Sequence, residues 1–594
     1  SNDVLLNLNG FSISNSTNTN HAALNLSSIA SNVTVTNGTL NNSYYGLVLK
    51  TVNNSQINNL LITSNSHTGI VTFTSSGFYN NISFNNITNN INWGIFLSTM
   101  SNNTLDHNII SFNGSSEGMR FTTSSFNNIT NNIIGNVSTG ISIFTLAADN
   151  FLNNNLIINT SSTGISILSA RNNITNNIIN NSGQFGINFA SGGQNSTLIN
   201  NSINNNIAGG IRIGGSKFIN LENNTLKNNT YGITVAINSD SNNITGNIIE
   251  SSGQAGIIIQ DTAKNSLISL NTISGDTTGL ASGIYLTTLN NPNKVLNNKI
   301  ENNTYGIYVN YSNSSNITNN NINNNNYGVY TFVSSNNTLY FNNINNNNIS
   351  GIFINNSNNN TIYSNKLNSN FQGINLISSL NNTLNSNEIS DSYDFGLYLI
   401  NSCTNFLSDF NFSNNSNAQI YLLNSTLNIS GNINISNTLD TDLDFNISEG
   451  SYIYDSGLIK IITTYGNYTI DNASNVSIKS LNYTSSETSA SGCGSSNFNT
   501  CNLITSNSQV INITNTSQTS SIILSMFYDI NAANNLNGDT NSIDISSYSS
   551  GWSSLGKVSI DQTTGKITFS SSGISLFGVF GVVNFKNIIE EKPI

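Results

Sequence analysis

The chain reads as an all-β protein, a parallel β-solenoid of about eighteen coils followed by a small C-terminal β-sandwich. Three observations predict this. Between Tyr45 and Leu399 a phrase of glycine, aliphatic, any residue, then another aliphatic or aromatic recurs sixteen times, as Gly46-Leu-Val-Leu, Gly164-Ile-Ser-Ile or Gly396-Leu-Tyr-Leu, with 22 to 27 residues between glycines. A second phrase, Asn-x-(Ile/Leu)-x-x-Asn-x-(Ile/Leu), fills the intervals, as in Asn103-Thr-Leu105 with Asn108-Ile-Ile110. Apolar residues therefore alternate in bursts too short for a helix and bounded by Asn, Ser or Gly, which is strand patterning. A coil of that size cannot bury its inward side chains until another stacks on it, so the coil is the folding unit.

Residues 1–22 form an opening strand, with Val4 to Ile13 in alternation. Coils occupy residues 23–440, and a rod of roughly 80 Å follows from a spacing of about 4.8 Å per coil. Asn103, Asn127, Asn172, Asn242, Asn337, Asn360 and Asn382 hold one place in their repeats. Amides stacked one coil apart form a hydrogen-bonded ladder, and Asn also tolerates a left-handed corner better than other residues with a side chain. Residues 441–484 read as irregular terminal coils, and residues 485–500 as a Ser/Gly-rich linker in which Cys493 and Cys501 form a disulfide. Cys403 is left over as a buried thiol. Residues 501–594 hold five short strands and read as the β-sandwich.

The wording Ser-Asn-Asn-Thr-Leu, then Asn-x-Ile, then Tyr-Gly-Ile-Tyr-Val resembles the right-handed parallel β-helix repeats of the NosD-like and pectate-lyase-like superfamily, over roughly residues 1–440. The resemblance implies a right-handed coil. It implies no single activity, since such repeats carry lyases, copper-maturation factors, adhesins and surface-layer proteins. Trp552 and Ile574-Ser-Leu-Phe-Gly-Val-Phe-Gly581 resemble the C-terminal module that follows such repeats in archaeal and related secreted surface proteins.

Only 7% of the 594 residues are charged and the net charge is -11, with three arginines, Arg120, Arg171 and Arg212, scattered along the chain. Nucleic acid is thereby disfavoured as a partner. The chain opens on Ser1, which fits removal of a signal segment, and it has no apolar run long enough for a membrane span. Asn-x-Ser/Thr sequons, roughly forty of them, include Asn32, Asn86, Asn128, Asn243, Asn316, Asn428 and Asn512, so covalent N-glycans on a secreted, extracellular chain are expected.

Chemistry is sparse. Asp240 and Asp261, with Lys264 nearby, are the acids closest in register and read as solvated loop charges. His21, His67 and His107 fall at unlike offsets, which gives no set of imidazoles for copper. Asp440, Asp442 and Asp444 alternate on one strand face, suited to Ca²⁺ or to blocking an edge, and the edge is favoured. No cofactor is therefore expected.

The position two after each glycine points outward. It is mixed in the first half, whereas Tyr285, Tyr308, Tyr330, Phe353, Tyr398 and Tyr421 make an aromatic stripe in the second, broken at Asn375. Such a stripe either stabilises its own sheet or forms an interface. The expected function is a non-enzymatic secreted structural protein, the subunit of an extracellular filament or surface layer. It would assemble as a homopolymer through contacts between copies, including strand addition at the first 13 residues or at Ile574 to Phe585. The alternatives are a monomeric glycan-binding adhesin and a polysaccharide lyase or glycoside hydrolase.

Overall fold

The computed structural model describes residues 2–437 apart from 16–19, 28–29, 74–76, 115, 276–280 and 289–291, and beyond 437 it describes backbone strands alone, from Leu443–Ile447 to Ser575–Val582. The chain is an all-β parallel solenoid of about 17 turns, with no helix among the described residues. Eighteen register positions enclose 17 steps, so this is the expected repeat. The side chains of Asp440, Asp442, Asp444, Cys493, Cys501 and Asn512 lie outside the described residues, as does the expected sandwich. The chain divides into two compact units, Ser1–Asn316 and Ile317–Ile594.

In the first unit each coil has three strands, one long strand that carries the glycine and two short ones. The coil of Gly94 shows them as Ile95–Ser98, Thr104–Asp106 and Ile109–Ser111. Each pairs in parallel with its counterpart in the next coil: Ile95 with Met119, Leu105 with Ile129, Ile110 with Ile134. All six side chains are buried, so the period-two pattern of the sequence is the inside-outside pattern of the coil. The second unit repeats the plan, with Tyr327–Phe332, Thr338–Tyr340 and Asn343–Asn345 forming one coil.

The glycines are required by close approach. A Cβ on Gly94 would stand 2.5 Å from Ile110 Cγ2 and 2.6 Å from the carbonyl oxygen of Gly118 in the next coil; on Gly351 it would stand 2.7 Å from Leu367 Cδ2 and 2.8 Å from Gly373 O. The chain thus bends back over its own second short strand just where the long strand starts.

Asparagine ladders run through the core. At the corner between the two short strands, Nδ2 of Asn85 donates to Oδ1 of Asn108 and so on through Asn132, Asn155, Asn177, Asn201, Asn224, Asn247, Asn271 and Asn298, each step 2.9 to 3.0 Å. The position singled out by sequence forms a second ladder, with Asn103 to Asn127 at 3.0 Å and, in the second unit, Asn360 to Asn382 at 3.1 Å. One expectation is corrected. The ladder asparagines do not occupy the left-handed corner; the residue before each does, as at Asn102 (φ 57), His107 (φ 53) and Asn131 (φ 53). Ladder and corner are separate tasks, and once the ladder holds the turn even Phe126 (φ 57), before Asn127, and Phe84 (φ 56), before Asn85, are kept left-handed.

Two further differences have plain causes. The opening alternation is broken into Asn2–Asn7 and Ser12–Ser14, because Asn9 (φ 48) and Gly10 (φ 84) turn the chain, and both pieces pair with Ala30–Asn41. In the second unit the ladder through Asn365 and Asn387 stops at Phe410, a buried ring stacked on Phe412 at 4.9 Å. The two short strands fuse there into Asn405–Ser413.

Candidate functional site: the outward face of the glycine strands

Each long strand has three positions on its outer side, one before the glycine (Gln419 in the last strand), one two after it and one four after it, and the small residues Ser350 and Ala418 at the first of these are buried. In the second unit these strands are Tyr327–Phe332, Ser350–Asn355, Gln372–Ile377, Phe395–Ile400 and Ala418–Leu423, and none contains Asp, Glu, Lys or Arg. Tyr330, Phe353, Tyr398 and Tyr421 lie on this face, half-buried. Their rings meet along the coil axis, Tyr330 stacked on Phe353 at 5.0 Å and Tyr398 tilted by 39° against Tyr421 at 5.1 Å. Residues preceding the glycines extend the array, Tyr327 lying 5.3 Å from Tyr330 and Phe395 4.9 Å from Tyr398. Burial, then the neighbouring Tyr330, pushes the Tyr327 phenol above its ordinary value. Asn375 interrupts the row, and its Nδ2 donates to Gln372 Oε1 at 2.8 Å. In the first unit Tyr285 stacks on Tyr308 at 4.9 Å and 5°. The Tyr285 hydroxyl accepts from Asn310 at 2.9 Å, one coil on. A second stack, Tyr340 on Tyr363 at 4.9 Å and 2°, stands on the first short strands. Its signal, Thr-Leu-Tyr340 and Thr-Ile-Tyr363 at one register, was present in the sequence and passed unread.

The same face of the first unit gathers residues that look scattered in sequence. Arg120 lays its guanidinium 4.0 Å from the Phe144 ring centroid, 5.4 Å from Trp93 and 5.7 Å from Phe96. Glu117 accepts from Arg120 Nη1 at 3.3 Å and from Trp93 Nε1 at 2.5 Å. His67 stacks on Tyr44 at 4.8 Å and meets Trp93 at 5.4 Å, and burial lowers its pKa. Stacking of coils joins residues 23 to 27 apart, a separation that reading by offset from the glycine hides for these positions.

The remaining candidates fall apart. Asp240 is not a solvated charge but half-buried, paired with Lys217 at 2.8 Å one coil back, while Asp261 and Lys264 are exposed. Cys403 is a free thiol, half-exposed at a corner rather than buried, because its neighbour Thr404 (φ 57) turns it outward. His107 binds Asp106 at 2.6 Å and stacks on Phe84, far in sequence from His67. His21 is exposed. Asn32, Asn86 and Asn128 are exposed, and Asn243, Asn316 and Asn428 half-buried. Among the described residues no three His, Cys, Asp or Glu side chains stand close enough to hold a metal ion, and no helix is long and apolar enough to cross a membrane.

Comparison with known proteins agrees with the fold. A family model described as a right-handed β-helix region matches residues 3–157, and one described as periplasmic copper-binding protein (NosD) matches residues 206–350. The stretch 206–350 contains no His, Cys or Met, so its residues do not fit copper. No curated protein matches the chain. Among solved structures, tailspike protein 3 of bacteriophage CBA120 is 14% identical with a TM-score of 0.37, over 58% of this chain and 56% of that one. A periplasmic alginate epimerase is 13% identical with a TM-score of 0.31, over 55% and 76%. A tailspike protein 2 from an Escherichia coli O157:H7 bacteriophage is 12% identical with a TM-score of 0.30, over 62% and 67%. Scores of this size carry nothing about chemistry.

Proposed function

We propose that this chain, a right-handed parallel β-helix repeat protein, is a non-enzymatic structural subunit, secreted and assembled with copies of itself into an extracellular filament or surface layer through the outward aromatic face. The observation that supports this reading is the uncharged aromatic array on the five long strands of the second unit. Two copies each carrying net charge -11 repel, and strands without Asp, Glu, Lys or Arg, with Asp394 at their edge accepting from Gln372 Nε2 at 2.8 Å, are where they approach at least cost. Rings already fixed by stacking lose little freedom on docking, which favours association. A sugar would stack on ring faces, and here neighbouring rings cover many of them, so a protein partner is preferred to a glycan. Exposed sequons on strands that carry no glycine phrase, Asn32, Asn86 and Asn128 among them, would carry N-glycans.

Sedimentation velocity and electron microscopy of native protein test the proposal. Assemblies that dissociate on replacing Tyr330 and Tyr398 by Ala, with unchanged circular dichroism, are expected. A discrete 64 kDa particle at all concentrations refutes it, and sugar affinity in that particle would favour the adhesin.

A further inference from the structure

Arg120 and Arg212 occupy the same place in their coils, two residues after Gly118 and Gly210. Their surroundings correspond in part. Before each, in the preceding coil, stands an aromatic ring, Trp93 or Phe185, 5.4 Å and 5.8 Å from the guanidinium carbon. Phe96 is the partner of Arg120 in the preceding strand, and Asn188 that of Arg212. In the following coil Phe144 lies 4.0 Å from Arg120, where Ala236 takes the same register beyond Arg212, and a further difference lies three residues back. Glu117 gives Arg120 its carboxylate, whereas the equivalent residue of the second coil is Gly209.

Gly209 is buried, and among the described residues Arg212 is left without a carboxylate beside it. Its guanidinium lies flat across Gly214, whose absent Cβ would stand 2.6 Å from Nη1, 2.9 Å from Cζ and 3.1 Å from Nη2. Nη1 donates to Asn188 Oδ1 at 3.3 Å. Among the described residues no carboxylate lies within ion-pair distance of it, although Arg120 and Arg171 each have one. Its other N–H groups are not buried and orphaned, as Nε of Arg120 is. One coil on, Thr234 pairs in register with Arg212 and holds a buried hydroxyl without a partner. A planar fork of donors, an aromatic wall and a missing acid suit a carboxylate.

We propose that Arg212 binds a carboxylate from outside the chain, held by its guanidinium as Glu117 is held by Arg120. The carboxylate comes either from a small acid in solution or from an acidic side chain of a second copy, and the two sources are separable. Full-length protein is titrated with acetate and followed by saturation-transfer NMR on the acetate methyl, while sedimentation velocity is recorded in the same buffers. Acetate binding is expected in the wild type and weakened about tenfold or more in Arg212→Gln and Gly209→Glu, but not in Arg171→Gln. Self-association that falls in the same two variants and in excess acetate assigns the carboxylate to a second copy. Gly209→Glu is tight, its Cβ 3.1 Å from the Tyr231 carbonyl oxygen and 3.3 Å from the Phe185 ring, so Arg212→Gln carries the test if that variant misfolds. Acetate binding and association both indifferent to Arg212 overturn the proposal, while replacing Tyr330 and Tyr398 reports separately on the aromatic face.

Discussion

The inside and the outside of each coil obey different rules. Inward, position after position holds the same few residues, Ile or Leu on the strands and Asn at the corners, because every coil is both floor and ceiling for its neighbours. Outward, equivalent positions of the first unit pass from Phe96 to Arg120, Ser142, Asn188 and Arg212 before reaching Tyr285 and Tyr308, and those of the second are Tyr or Phe except at Asn375. Stability therefore sits in the repeat, and whatever distinguishes this protein sits in departures from it.

Neighbouring asparagines give the sharpest test of that contrast. Asn155 is inside, accepting from both the backbone N–H and Nδ2 of Asn132 at 3.0 and 2.9 Å; Asn154 is outside at φ 55. Asn155→Ala leaves those donors without their acceptor in a tight core and should cost about 3 kcal/mol. Asn154→Gly keeps the corner and should change stability by about 0.5 kcal/mol or less. Chemical denaturation compares them, and equal midpoints would break the distinction. Gly94→Ala comes next. Its methyl group meets Ile110 and the Gly118 carbonyl, an overpacking that should cost about 2 kcal/mol, whereas Gly253→Ala, with nothing nearer than 3.8 Å, should be tolerated.

Outward substitutions should be milder for folding and stronger for association. Tyr330→Ala removes a ring 5.0 Å from Phe353 and should lower stability by about 1 kcal/mol. Its larger effect should appear in the sedimentation of assemblies. If the melting temperature falls as far as for Asn155→Ala, the aromatic array belongs to the core after all.

How legible was this in the sequence? The coil count, the strand positions and the ladder at Asn103 and its equivalents followed from period alone, because one geometry is repeated until the pattern outweighs local exceptions. The reason for the glycines did not, since a Cβ at Gly94 is forbidden by Gly118 O, an atom 24 residues away. The pairing of Asp240 with Lys217 and the gathering of His67, Trp93, Glu117 and Arg120 were missed for a related reason. Their side chains meet by reaching between coils, and their offsets from the glycine differ by a few residues. The aromatic row was seen because its members share one offset.

The smallest expected effect lies at the boundary between the two regimes. Asp106 ends a short strand beside the corner residue His107, and its carboxylate accepts from His107 at 2.6 Å, from Thr130 Oγ1 at 2.6 Å and from Asn131 Nδ2 at 2.8 Å. Burial pushes its pKa up, but those hydrogen bonds and the charge of His107 together outweigh that and hold it below the usual carboxylate value. A group depressed in the folded state adds stability above its unfolded pKa of about 3.9 and loses it as pH falls through the lower folded value. The gap in stability between wild type and Asp106→Asn should thus be widest above pH ~4 and narrow below it. Denaturant midpoints taken from pH 6 downward measure it. A gap that persists unchanged into acid would mean that the outward hydrogen bonds at this corner act as neutral packing, with no share in the charge of Asp106.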